Sequence, residues 1–247
     1  MKRFKEFLSE ARRSLEGTHA LNKVYDERPF FGEVSAKMPK LSETERRLLD
    51  AYTQKALPLN RELRQAAVWE TSRNRGNIPS PEQVLARMRD SKELTRDLDD
   101  LIQQKGMVLA RPFTTYRGVT NPENPEFSDN LIRGIQHGFL STGVSPRASA
   151  SLPTSEVLSI HDWERRRPKL LKINVPTGTR FLPNPQTRSS RFRGENEIIF
   201  PRGMHLDTEM SPESLLKFYG VGGKSGMENF HYSMPVHRSR ISHRGHS

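Results

Sequence analysis

Residues 193–203 read RGENEIIFPRG, a short apolar run from Ile198 to Phe200 with two glutamates, Glu195 and Glu197, at its head. Bounded by Gly and Pro and too short for a helix, the run is predicted to be a strand. In an extended chain, residues two apart share a face roughly 7 Å apart, so both carboxylates would look into one space while Asn196, Ile198 and Phe200 face the other way. Two like charges at that spacing need a reason, either a solvated edge or a site.

Working outward, the chain from Met107 onward repeats this pattern. Short period-two runs, VLARPFTTYRGVT, GFLSTGVS, KLLKINVP and GTRFLP, are separated by Pro, Gly and Asn clusters, the signature of strands joined by loops. Ahead of Met107 the periodicity is helical. Ser42 and Glu45 are spaced as a capping box, with Leu48, Leu49, Tyr52 and Ala56 at helical spacing until Pro58. A second helix is predicted from Asn60 through RELRQAAVWE, and a third from the Ser80 cap with Pro81 at its first position and Val84, Leu85 and Met88 inside. A fourth carries the stripe Leu94, Leu98, Leu101 and Ile102 and stops at Gly106. A short helix is expected within residues 146–167. The fold class is therefore α+β, a helical N-terminal half packed on a mostly antiparallel two-sheet β core. Three units are expected: a leader over 1–40, partly helical or flexible, one domain over 41–219, and a basic, aperiodic tail over 220–247.

Composition narrows the chemistry. The 247 residues contain no cysteine, which excludes disulfides, thiolate metal sites and a cysteine nucleophile. Forty Lys and Arg against twenty-nine Asp and Glu give a formal charge of +11, which favours phosphate-rich partners or anionic surfaces without choosing between them. No apolar run approaches the roughly 20 residues of a membrane span. The N-terminal residues Phe4, Phe7, Leu8, Ala11 and Leu15 fall on one helical face amid Lys and Arg, a pattern of a docking helix or of a membrane-surface helix. GVGGKSG fails as a phosphate loop because Phe218 stands where the pattern needs a glycine. His231, His237, His243 and His246 lack the spacing of a metal-ligand set.

Two more polar intrusions break strand-like runs: Arg117 in FTTYRGV, beside Gly118, and Ser141 with Thr142 in GFLSTGV. A guanidinium projecting from a strand next to a glycine grips phosphate with two parallel hydrogen bonds while the bare backbone admits the ligand. Alone, each has a structural explanation: a buried ion pair for Arg117, a hydrogen bond to a neighbouring strand for Ser141, a solvated edge for the glutamates.

Together, in the order Arg, Ser-Thr, Glu-x-Glu, they resemble the arginine-serine-glutamate class of mono-ADP-ribosyltransferases. YRG is similar to that family's first motif, FLSTG to its second and SRFRGENEIIFPRG to its third, with Ser190 and Phe192 ahead of Glu195; AYTQKALPLNRELR resembles its N-terminal helices. The likeness covers about Leu41 to Thr208. Gly143 departs from the family's usual Ser-Thr-Ser, which implies a looser strand and reduced activity. The resemblance implies the ADP-ribosyltransferase fold and a reaction that consumes NAD as a substrate without metal. It assigns Glu197 to catalysis at the ribose, Ser141 to orienting Glu197, Arg117 to the phosphates, Gly118 and Thr142 to NAD binding, and Glu195 and Phe192 to the target. A glutamate at position 195 goes, in that family, with arginine acceptors. The expected protein is a bacterial effector, similar to type III secreted ones, acting on a host protein in the host cytoplasm. Two alternatives stand beside it: an NAD glycohydrolase or weakened binding protein on the same fold, and a nucleic-acid binder using Arg165, Arg166, Arg167, Arg188, Arg191 and Arg193, where only Trp163 and Phe192 lie near enough to stack bases.

Overall fold

The cap predicted at Ser42 is made in both directions. Ser42 N donates to Glu45 Oε2 at 2.6 Å, and Glu45 N donates to Ser42 Oγ at 3.2 Å, so two amides at the helix entry find partners. The computed structural model describes residues 28–71, 81–119, 134–146, 149–150, 167–184, 196–209, 211–221 and 229–242. Helix α1 spans Arg28–Lys37, α2 spans Glu43–Thr71 and α3 spans Pro81–Lys105.

Four separate helices were expected over the stretch that α2 and α3 fill, yet each pair is one continuous helix. Proline inside a helix costs about 3 kcal/mol. Tyr52 before Pro58 and Leu59 and Leu63 after it are buried in one cluster with Leu98, Leu101 and Ile102 of α3, and each such side chain contributes about 1.5–3 kcal/mol on burial. Packing on both sides of the proline outweighs the lost backbone bond. Arg180 then fixes the end of α3 by donating from Nη1 to Gln103 O at 3.2 Å and Gly106 O at 3.0 Å, as cations near a helix C-terminus do.

The strands are β1 (Met107–Val108), β2 (Phe113–Val119), β3 (Gly134–Gln136), β4 (Leu140–Gly143), β5 (Lys169–Val175), β6 (Arg180–Asn184), β7 (Glu197–Phe200), β8 (Met204–Thr208), β9 (Ser214–Val221) and β10 (Asn229–Ser242). They form one ten-stranded sheet in the order β1-β6-β7-β4-β2-β5-β10-β8-β3, with β9 added to β10. Where two sheets were expected, the ladder is continuous, although β4 and β2 join through a single residue pair, Tyr116 with Gly143. β10 runs parallel to β5, which makes the sheet mixed.

One face of the β1-β6-β7-β4 portion packs on α2 and α3 through Leu182 and Ile199, joined by Phe139 just before β4. The other face contributes Phe181, Ile198, Phe200 and Leu140 to a second core shared with Phe113, Leu171 and Ile173 from β2 and β5. The Phe113 and Phe181 rings lie 6.0 Å apart, and Phe30 of α1 lies 5.4 Å from Phe113, both pairs tilted and within the separation at which aromatic pairs attract.

The expected tail needs correcting. Asn229–Ser242 is the longest strand, inserted between β5 and β8. Its aperiodic look has a cause: from His237 on, the inward residues are His237, Ser239 and Ile241, and the outward ones Arg238 and Arg240, so polar residues occupy buried sites. His237 Nδ1 lies 3.1 Å from Glu209 O and Ser239 Oγ 2.8 Å from Thr208 Oγ1, which meets their hydrogen-bonding needs. Among the described residues no helix is long and apolar enough to cross a membrane. The amphipathic residues 4–15 lie outside the described residues, as does most of the helix expected over 146–167.

Candidate active site

β4 is four residues long and lies between β7 and β2. Its partner β7 begins at Glu197, which pairs with Gly143 on one side and with Asn184 of β6 on the other. Ser141, two residues before Gly143, shares the Gly143 face. From there Ser141 Oγ donates a short hydrogen bond to Glu197 Oε1. Asn184 Nδ2 donates to Glu197 Oε2 at 2.8 Å. Both carboxylate oxygens thus accept from neutral donors on flanking strands.

Burial pushes the Glu197 carboxyl above its ordinary range, and the hydrogen bonds from Ser141 and Asn184 offset part of that rise. Desolvation penalises the ion, and donors aimed at its oxygens restore it. Tyr52 of α2, fully buried, sits within Coulombic reach of the same carboxylate. Its hydroxyl is pushed up by burial first and by the Glu197 charge second. Asn60 Nδ2 approaches Tyr52 OH at 3.4 Å, and Asn60 Oδ1 accepts from Phe139 N at 2.8 Å, so α2 grips the chain two residues before Ser141.

Two cations complete the cluster. Arg117, half-buried in β2, is held below the usual guanidinium range by burial, with Tyr52 opposing. Arg64 of α2 is pushed down to about 10, by burial first and by the Arg117 charge second. Neither has an ion pair or a hydrogen-bond partner among the described residues. Half-buried, mutually repelling guanidinium groups without carboxylates are costly unless an anion joins them, and a diphosphate supplies that charge in a form two arginines bind well. The residues present therefore fit NAD, whose phosphates Arg64 and Arg117 would hold.

Arg117, Ser141 and Glu197 are thus gathered around Tyr52 from β2, β4 and β7. Gly118 follows Arg117 on β2, half-buried and opposite Leu170. Thr142 does not join them: alternation along β4 turns it to the opposite face, where it is buried and its hydroxyl has no hydrogen-bond partner among the described residues. Glu195 and Phe192 lie outside the described residues. The face expected to be shared by Glu195 and Glu197 therefore falls partly outside the described residues; β7 itself starts at Glu197, and Asn196 before it has φ 48°, a left-handed conformation.

Sequence reading missed Tyr52, Asn60, Arg64 and Asn184. The first three carried a signal: with Ala56 they recur every four residues, one row along α2, and polar groups on a row flanked by buried Leu59 and Leu63 mark a site. Asn184, in LPNP, reads as a turn residue.

A family model described as ADP-ribosyltransferase exoenzyme matches residues 29–217. The chain belongs to the ADP-ribosyltransferase exoenzyme family. Enzymes of this family use NAD as their substrate. No curated protein matches the chain. Among solved structures, it is similar to Plx2a, an ADP-ribosyltransferase toxin from Paenibacillus larvae, at 18% identity over 92% of this chain and 96% of that one, with a TM-score of 0.44. It is similar to an ADP-ribosyltransferase from Clostridium botulinum at 16% identity over 93% and 94% of the two chains, TM-score 0.46. The Clostridium limosum C3 exoenzyme aligns at 16% identity over 83% and 87%, TM-score 0.48. The three motifs of this exoenzyme lie within the span that the family model covers.

Proposed function

We propose that this exoenzyme transfers ADP-ribose from NAD to an arginine side chain of a target protein, in the manner of the Arg / Ser-Thr-Ser / Glu-x-Glu class, with Gly143 in place of the second serine. The observation that supports it best is the half-buried Glu197 carboxylate, held on both oxygens by Ser141 and Asn184, in a cluster with two arginines that have no ion pair among the described residues.

Each residue has a task set by charge. Arg117 and Arg64 bind the diphosphate, and Gly118, beside Arg117, leaves backbone open to the nicotinamide end. Glu197 stabilises the positive charge that grows on the ribose carbon as the bond to nicotinamide breaks, and nicotinamide leaves with the bonding pair. A carboxylate held in place before the reaction is worth more there than one that must reorganise. Ser141 keeps that carboxylate oriented. An arginine acceptor, with a pKa above about 12, is a poor nucleophile until a proton is removed. Glu195 takes that proton as a guanidinium nitrogen bonds to the ribose carbon. Phe192 contacts the target. The presence of glutamate at position 195 supports arginine as acceptor, and the target is a host protein met in the host cell.

Transfer from labelled NAD into a host lysate tests this, comparing the parent with Glu197→Ala and locating the modified side chain by mass spectrometry. Label on arginine, lost in Glu197→Ala, is the expected result. Free ADP-ribose without protein label would replace transfer by NAD hydrolysis, and label on another residue type would refute the arginine assignment.

A further inference from the structure

The two donors on Glu197 are not equivalent. Ser141 is a hydroxyl on the adjacent strand, free to rotate, and its oxygen also accepts hydrogen bonds. Asn184 is different in three respects. It is almost fully buried, at 4% exposure. It stands directly opposite Glu197 in the β6–β7 pair. It also reaches beyond the sheet: Asn184 Nδ2 lies 2.8 Å from Glu197 Oε2 and 3.3 Å from Thr53 Oγ1 of α2.

Proton bookkeeping fixes the direction of every bond in this chain. Thr53 Oγ1 donates its one proton to Leu49 O at 3.0 Å, so toward Asn184 it is an acceptor. Glu197 Oε2, when ionised, is an acceptor only. The Asn184 amide, with two N–H groups, is the one group between them that can donate both ways. A carboxylate or a hydroxyl at position 184 could not serve both.

Resting on the transferase reading above, we infer that Asn184 is a positioning residue: its amide sets the plane of the Glu197 carboxylate from the rigid surface of α2, through Thr53. Glu197 is thereby referenced to two independent bodies, the neighbouring strand through Ser141 and the helix through Asn184. The same bond lies where the chain leaves β6 at Asn184 and enters β7 at Glu197, so it pins both ends of the intervening stretch, which contains Glu195.

The test reads the carboxylate itself and then the rate. In protein labelled with carboxyl-13C glutamate, the Glu197 resonance is identified by its loss in Glu197→Gln, and its titration is followed in the parent, Asn184→Ala and Asn184→Asp. Loss of the donor moves the Glu197 midpoint upward by about one pH unit in Asn184→Ala, and further in Asn184→Asp, where a second negative charge faces it. Thr53→Val keeps the shape of the α2 surface and removes only the anchor; it gives a smaller shift in the same direction. Turnover of NAD falls about 10- to 100-fold in Asn184→Ala with KM for NAD little changed. An unmoved midpoint in Asn184→Ala or Asn184→Asp overturns the inference, whatever the rates do. Should either variant misfold, an unmoved midpoint in Thr53→Val overturns it instead. A parent protein that leaves NAD intact refutes the transferase reading, while the titration still decides whether Asn184 holds the carboxylate.

Discussion

Replacing Gly138 by alanine tests how tightly α2 is coupled to the strand that carries Ser141. A Cβ at position 138 would lie 2.5 Å from Asn60 Oδ1, 3.0 Å from its Cγ and 3.1 Å from its Cβ. The Asn60 amide has little room to yield, being buried and engaged at one end by Phe139 N at 2.8 Å and at the other by Tyr52 OH at 3.4 Å. Either Asn60 turns away, leaving the buried Phe139 N–H without an acceptor at about 1–3 kcal/mol, or the backbone around 138 shifts, at about 1–3 kcal/mol for overpacking. The two are alternatives, so the expected cost is about 2 kcal/mol. For a chain of this size that lowers Tm by about 4–8 °C, measured by circular dichroism. NAD turnover falls with it, because Ser141 lies two residues beyond Phe139. In an Asn60→Ala background most of the clash is gone, so the second substitution adds under about 0.5 kcal/mol and the pair is strongly non-additive. A Tm within about 1 °C of the parent, or penalties that simply add, would refute the reasoning.

Other consequences are separable by assay. Glu197→Gln removes the charge but keeps the shape; steady-state kinetics should show turnover down by about 100-fold or more with KM for NAD preserved, while Tm stays level or rises because a desolvated charge is gone. Glu197 has its folded pKa above the unfolded value, so the acid limb of the turnover profile falls above the ordinary carboxylate range, and this group makes the fold more stable as pH drops through that value; Ser141→Ala moves the limb further up. Arg64→Ala and Arg117→Ala each weaken NAD binding, read as a raised KM or by titration calorimetry, and the losses are not additive because the two cations repel each other across one site. At Glu213, burial opposes the ion, but hydrogen bonds from Lys172 at 2.7 Å and Arg238 at 3.1 Å hold its pKa down. Its contribution is therefore present above the unfolded pKa and lost as pH falls through the folded one; Glu213→Gln should flatten the acid arm of a plot of Tm against pH.

Legibility followed the source of the information. The Ser42 cap and strands β2, β4, β5, β6 and β7 were visible because local spacing and apolar alternation specify them. The continuity of α2 through Pro58 was hidden, since it comes from Leu98, Leu101 and Ile102, distant in sequence. β10 was hidden because His237 and Ser239 fill buried places that usually carry apolar side chains. At the site, Arg117, Ser141 and Glu197 stood out as polar groups in apolar strands. Thr142 stood out equally and points the other way, so polarity in a strand marks a candidate without assigning its face. Asn184 was illegible because its partners, Thr53 and Glu197, meet only when the sheet closes on α2.

The placement of β10 bears on how the molecule assembles. Remove that strand and the path β1-β6-β7-β4-β2-β5 is severed from β8-β3, leaving β5 and β8 with bare edges that invite pairing with other chains. A ribosome must therefore release the chain through about Ser242 before β8 and β3 can join the rest of the sheet, and such late, long-distance strand insertion is slow. During that interval the nascent protein depends on whatever shields open β edges, and a stop codon near Gly220 would yield an aggregating product instead of a shorter enzyme.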